Sequence, residues 1–286
     1  MLAEIRSLGF DHAELSHGIR ISLLPGIIEA VEAGEIKISS LHNYCPLPIG
    51  INHAAPNLYL FSSEDKRERE NAWRHSLKTL ETAARFKAQI VVLHLGSIEM
   101  KEYTDRLIEM MQRGLKDSPK FASLREEALE KREKKKEKHM ELTCEFLGRL
   151  ADAAAQHGLK LGAENREALE EIPLESDFPF LLLQFSRPEV GYWHDCGHAQ
   201  IKENLGVINH REHLESMASR LLGFHIHDVQ FPGRDHCAPG TGMIDFAALK
   251  PMVQPHHIKV FELSPSLSPE AAAAGVAHIK KLWGGE

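Results

Sequence analysis

Val190-Gly-Tyr-Trp-His-Asp-Cys-Gly-His-Ala199 is the stretch on which the fold of this chain turns. Val190 to His194 have the composition of a short buried strand, and the polar Asp195, Cys196 and His198 follow directly. A carboxylate and an imidazole three positions apart, where a strand gives way to a loop, can turn toward one point. Such a pair holds a divalent cation or a sugar hydroxyl. Asp-x-x-His also serves as a plain loop-and-helix cap, so the stretch alone does not establish chemistry.

Four further stretches repeat the pattern. Val91-Val-Leu-His94, Leu161-Gly-Ala-Glu164, Leu222-Gly-Phe-His225 and Val260-Phe-Glu262 each read as a strand ending in a metal-ligand type. Glu164 to Asp195 is 31 residues, Asp195 to His225 is 30, and His225 to Glu262 is 37. Eight strand–helix units sharing about 250 residues take roughly 31 each. Ligand types therefore recur once per repeat at carboxyl ends of strands, where a (β/α)8 barrel keeps its chemistry. The predicted fold class is α/β, a (β/α)8 TIM barrel.

The chain has 286 residues, enough for one such domain. Its 34 basic and 41 acidic residues give a net charge of −7, which does not favour nonspecific nucleic-acid binding. No apolar run reaches the roughly 18 residues of a membrane span, and residues 1–10 lack a signal peptide's apolar core. The expected compartment is the cytoplasm. Cys45, Cys144, Cys196 and Cys237 form no Cys-x-x-Cys pair and read as buried thiols. The 18 histidines are unusually many, and several lie at strand ends, which points to metal chemistry.

Seven strands are expected, at 12–16, 36–40, 89–95, 161–164, 190–194, 224–229 and 260–262. An eighth would have to precede Met1, or the first strand of the barrel is irregular. A helix after residue 61 takes Ser62 or Ser63 as its cap, with Trp73, Leu77, Leu80 and Ala84 on one face. The unit between Glu102 and Gly158 is too long for a simple repeat. It holds the charged run 125–138, read as a solvated helix face, then an apolar face of Leu142, Phe146, Leu150 and Ala154. Asp245 and Ser268 read as caps of two later helices. No linker divides the chain, so residues 1–286 are expected to form one domain.

Ala163-Glu164-Asn165, Asp195-Cys-Gly-His198, His225-Ile-His227-Asp228, His236-Cys-Ala-Pro-Gly240-Thr-Gly242 and Phe261-Glu262 together resemble the xylose isomerase-like barrel superfamily. That group includes sugar and sugar-phosphate isomerases and epimerases, and the endonuclease IV type of DNA-repair enzyme. The likeness covers nearly the whole chain, missing the first strand. In the isomerase branch it implies one divalent metal held by Glu164, Asp195, His225 and Glu262, with His198 on the substrate. His42 and His94 match histidines that hold an additional zinc in the endonuclease branch, or else line the pocket by hydrogen bonding. His236 matches a ligand of that branch's third zinc. Two positions earlier the branch carries aspartate where this chain has Arg234, and Asp235 is out of step; a guanidinium there suits a substrate phosphate or carboxylate instead. Arg166 is a second anion-binding candidate, or one partner of a surface ion pair. His227 alternates with His225 and faces the same way, so it stands behind the metal or touches substrate. Glu14 and His17 end the first strand near the same place.

Three carboxylates and one imidazole suit Mn²⁺, Mg²⁺, Co²⁺ or Zn²⁺. A metal chelated by neighbouring oxygens of a hydroxy-ketone acidifies the intervening C–H by stabilising the enediolate. Glu164 and Glu262, three strands apart, could then exchange a proton with the carbon from opposite faces. The expected activity is a metal-dependent isomerase or epimerase of a small sugar, sugar phosphate or related hydroxy-keto compound. The alternatives are a phosphodiesterase acting at abasic DNA and a barrel that binds a metabolite without turnover. The expected partner is a small sugar or sugar phosphate; homo-oligomer formation is left open.

Overall fold

The computed structural model describes residues 2–185 and 189–284. Its strands are β1 (His12–Leu15), β2 (Lys37–His42), β3 (Ile90–Leu93), β4 (Lys160–Glu164), β5 (Val190–Asp195), β6 (Leu221–Ile226), β7 (Asp228–Gln230), β8 (Arg234–Cys237) and β9 (Ile258–Phe261). Its α-helices are α1 (Leu2–Ser7), α2 (Leu24–Glu32), α3 (Lys66–Arg85), α4 (Thr104–Gln112), α5 (Pro119–Gln156), α6 (Phe178–Gln184), α7 (Cys196–Asn204), α8 (His210–Met217), α9 (Phe246–Leu249) and α10 (Pro269–Trp283). Among the described residues, β1 to β6 and then β9 form a seven-stranded sheet, and these are the seven strands expected from sequence. The pairs β1–β2, β2–β3, β3–β4, β5–β6 and β6–β9 are parallel. Parallel neighbours need crossover connections that cover the sheet, and continuous apolar runs such as Ile90–Leu93, buried at every position, meet that demand. No helix among the described residues is long and apolar enough to cross a membrane.

Three local expectations change. β2 runs on through His42, because its parallel ladder with β3 continues to the His42–Val92 pair. The strand expected at 224–229 breaks at His227: the β6 ladder with β9 ends at Ile226, and Asp228 opens the antiparallel hairpin β7–β8. The cap of α3 is Asp65, whose carboxylate accepts the Arg67 N–H at 2.8 Å, rather than Ser62 or Ser63.

The chain divides into two compact units, Met1–Ser97 with Lys138–Glu164 and Phe180–Gly191, and Ile98–Glu137 with Asn165–Pro179 and Tyr192–Glu286. In the first unit, α3 buries Ala72, Thr79, Leu80 and Ala83, a stripe set slightly off the predicted one. Leu142, Phe146, Leu150 and Ala154 of α5 are buried as expected. Phe146 stacks on Phe61 at 4.0 Å, and Trp73 meets Phe146 edge-on while carrying the Arg149 guanidinium at 4.4 Å.

The second unit corrects the reading of 125–138 as a wholly solvated face. Arg132 is fully buried and pairs with Asp177 at 2.8 Å, and Lys136 reaches the other oxygen of Asp177 at 2.7 Å. This carboxylate comes from the segment after β4, 45 residues downstream of Arg132, so no local pattern announces it. The same segment is tied by Arg166–Glu171 at 2.9 Å, by Lys202 against Glu175, and by Glu170 accepting the Thr104 hydroxyl at 2.7 Å. Ion pairs at this depth are retained only when each charge has a partner. They fasten the stretch that carries Asn165 and Arg166.

Below the strand ends of this unit, the buried Trp193 ring lies across Gly223 of β6 and edge-on to His225, with ring centroids 5.2 Å apart. A Cβ at position 223 would sit 2.5 Å from Trp193 Cζ3 and 2.6 Å from the Ile258 carbonyl oxygen, so only glycine fits. Gly223→Ala is expected to destabilise the fold by about 1–3 kcal/mol through overpacking. A denaturant melt indistinguishable from that of the parent would contradict this packing.

Candidate active site

In the first unit, three ligand-type residues stand at carboxyl ends of neighbouring strands. His42 closes β2, His94 follows β3 and Glu164 closes β4. The strand register brings their ligand atoms within 4.8 Å of one another. His42 Nδ1 lies 2.8 Å from the Asn43 carbonyl, and His94 Nδ1 lies 2.8 Å from Asn57 Oδ1. Both acceptors suit a proton on Nδ1, which turns Nε2 of each ring inward. The two Nε2 atoms are 3.1 Å apart, with Glu164 Oε2 at 3.3 and 3.0 Å. Electron-rich atoms that close in a buried place call for a shared proton or a cation. The His17 ring packs edge-on against His42 at 4.7 Å, so His17 does approach this cluster. Glu14 instead accepts the Ser40 hydroxyl at 2.6 Å within the sheet.

In the second unit, Asp195, His225 and Glu262 offer ligand atoms within the same 4.8 Å limit at the carboxyl ends of β5, β6 and β9. His225 Nδ1 is 3.1 Å from Glu262 Oε2 and 3.8 Å from Asp195 Oδ2. Asp195 is also the cap of α7, since its Oδ1 accepts the His198 N–H at 2.7 Å; the two readings of Asp-x-x-His are both true of one carboxylate. The Asn165 amide grips the Asp195 main chain twice, accepting its N–H at 2.7 Å and donating to its carbonyl at 3.0 Å.

His227 faces the same way as His225, as the alternation requires, and its Nε2 lies 3.1 Å from Asp195 Oδ2. Its Nδ1 accepts the His236 N–H at 2.9 Å. Burial opposes a charge on this ring, but the Asp195 carboxylate outweighs it and pushes the imidazole up to about 9. The His236 N–H aimed at Nδ1 opposes that second proton, and a cation on Asp195 would weaken the carboxylate's pull. The hydrogen bonds thus select the neutral ring protonated on Nε2. His236, at a φ of 50°, turns its Nδ1 to the Glu262 carbonyl at 3.0 Å and joins His227 and Glu262 in a second ligand-type group.

The other candidates separate. His198 is buried, with Nδ1 3.0 Å from the Asn165 carbonyl and 3.3 Å from Arg166 Nη1. Arg166 is no surface residue: it is buried and its charge is met by Glu171. Arg234 is exposed on β8, with Nη1 3.5 Å from Gln230 Oε1 across the hairpin. Asp235, out of step in sequence, nevertheless comes within 4.8 Å of His198 together with Glu167. Asn57 and Glu167 were missed as site residues, since single amides and carboxylates in loops carry no periodic signal; Asn165 stood in the Ala163-Glu164-Asn165 motif, with no role of its own read there.

The histidine excess also has a structural share. Tyr192 Oη lies 2.8 Å from His194 Nδ1 and 2.9 Å from His213 Nε2, and His194 Nε2 lies 2.9 Å from His210 Nε2. Burial lowers His210 to about 4 and His213 to about 3, so these rings are neutral core residues. Burial also holds the Cys196 thiol well above its ordinary value, with Asp195 and Asp228 adding to the effect, so it offers no thiolate.

In structure the chain is similar to 3-keto-D-glucoside 4-epimerase from E. coli, with a TM-score of 0.68, 16% identity, and 98% of this chain and 92% of that one covered. It is also similar to D-psicose 3-epimerase from Clostridium cellulolyticum H10, with a TM-score of 0.66, 15% identity and coverages of 99% and 92%. A xylose isomerase domain protein from Planctomyces limnophilus gives a TM-score of 0.67 at 13% identity, with coverages of 100% and 93%. Identities this low speak to fold alone. No curated protein matches the chain in sequence. The sequence profile described as Xylose isomerase-like TIM barrel matches residues 2–282, and the chain belongs to that family.

Proposed function

We propose that this protein is a divalent-metal-dependent isomerase or epimerase of a small sugar, a sugar phosphate or a related hydroxy-keto compound. The observation that carries the reading is the convergence of Asp195, His225 and Glu262 at strand ends. Three carboxylates and one imidazole, without a thiolate, fit a hard or borderline divalent ion, and we assign these four residues to it. The similarity to a 3-keto-D-glucoside 4-epimerase and a D-psicose 3-epimerase supports the substrate class.

A cation held there supplies Lewis acidity to the carbonyl and hydroxyl oxygens of the substrate and acidifies the C–H between them. The residues do the rest. We assign Glu164 and Glu262 as the pair that would exchange the proton of the reacting carbon, one taking it and the other returning one. They differ in environment. The Glu164 side chain is 1% exposed and backed by His42 and His94, which can hold or release a proton with it. The Glu262 side chain is 30% exposed and can exchange its proton with water. His198, held by Asn165 and Arg166, is the residue assigned to a substrate hydroxyl, and Arg234 is the residue to test against an anionic group.

A second reading, phosphodiester cleavage at abasic DNA, is favoured by the inward-facing Nε2 atoms of His42 and His94. That chemistry requires a zinc cluster, so DNA nicking together with more than one bound zinc per chain would select it over the isomerase.

The parent is expected to bind one Mn²⁺ tightly in calorimetry and Asp195→Ala to lose that binding; retained affinity in the variant removes the ligand assignment. In D₂O the correct substrate is expected to gain deuterium at the carbon beside its carbonyl. Glu164→Gln and Glu262→Gln should each lower turnover by about 10²-fold or more. Because both are assigned as ligands, metal content is measured in each variant. A fully metallated glutamine variant with full activity would exclude that carboxylate as the base.

A further inference from the structure

The geometry points to His227 as the positioning residue that aims Asp195 at the cation, and to Gly197 as the seat that lets it do so. This rests on the metal reading above and extends it to two residues which that reading does not use. Asp195 is constrained step by step. Its main chain is gripped by Asn165, and its Oδ1 is engaged by the His198 N–H at 2.7 Å. The remaining freedom is rotation of the carboxylate, and that is set at Oδ2, where His227 Nε2 stands at 3.1 Å. An Oδ2 that accepts from one side keeps its other lone pair for a metal, and the donated hydrogen bond decides which way it points.

His227 can set that angle only if its own ring is fixed. The His236 N–H at 2.9 Å takes Nδ1, which leaves the proton on Nε2 and directs it at Asp195. The ring is fully buried and lies against Gly197, in the first turn of α7. A Cβ at position 197 would fall 2.0 Å from His227 Cε1, 2.5 Å from Nδ1 and 2.9 Å from Nε2. Gly197 is an ordinary helical residue, where alanine is normally the better choice. Its glycine is explained by the imidazole above it. The Asp-Cys-Gly-His motif and the His-x-His motif, 30 residues apart, are therefore one mechanical unit.

The test is Mn²⁺ titration calorimetry on the full chain, with thermal melts of the metal-free proteins. His227→Ala should bind Mn²⁺ about ten- to a hundredfold more weakly than the parent. His227→Gln, which keeps an N–H where Nε2 stands, should recover part of the loss. Gly197→Ala should also weaken binding, whereas Gly197→Ala combined with His227→Ala should bind no worse than His227→Ala alone, because no ring remains to displace. Parent-like affinity in His227→Ala overturns the inference and leaves the metal reading standing. Losses that add in the double variant overturn the part assigned to Gly197. An affinity loss no larger than the loss of folded protein in the melts makes the role merely structural and overturns it too. A parent that binds no divalent ion removes the metal reading itself.

Discussion

Asp195 is gripped through its backbone by Asn165, through one carboxylate oxygen by the first turn of α7, and through the other by His227. The candidate site residues of the second unit are arranged around that restraint. The cap that starts α7 also sets His198, one turn along, against Asn165 and Arg166. The imidazole that orients the carboxylate is itself held by the main chain of His236, whose side chain returns to the Glu262 carbonyl. A carboxylate fixed at both oxygens loses little conformational entropy on meeting a cation, which is the basis of preorganisation at metal sites.

Buried ion pairs flank the candidate ligands Glu164 and Asp195 in sequence. Arg132, Lys136, Arg166 and Lys202 meet Asp177, Glu171 and Glu175 in the segment that follows Glu164. Paired charges inside a protein are costly to bring together and costlier to separate, so they specify one arrangement of that segment rather than adding much stability. Trp193 over Gly223 serves His225 from below in an apolar way. In the first unit, by contrast, His42 and His94 are oriented by a backbone carbonyl and a loop amide, Asn57. Asn57 belongs to the stretch 46–61, which holds three prolines and two asparagines between β2 and α3.

What the sequence makes legible follows from the range of the physics involved. Strand positions and their ligand-type ends were visible because parallel strands buried on both faces are apolar runs, and the repeat length then places one end per unit. His225 and His227 facing the same way was visible from period-two alternation. The burial of Arg132 was not, because its partner Asp177 lies 45 positions away and the residues beside it in sequence are charged. The contact of Asp235 with His198 and Glu167 was hidden by the hairpin β7–β8, whose register no local pattern fixed. Gly197 could be seen as a glycine in a motif, but its reason, the His227 ring, belongs to another strand.

Crystals grown with Mn²⁺ and measured at the manganese absorption edge test the central claim most directly. The account predicts a single strong anomalous peak with ligand distances of roughly 2.0–2.3 Å to Glu164, Asp195, His225 and Glu262. A peak centred on His42 and His94 with Asp195 and His225 uncoordinated, or no peak at saturating Mn²⁺, would contradict it.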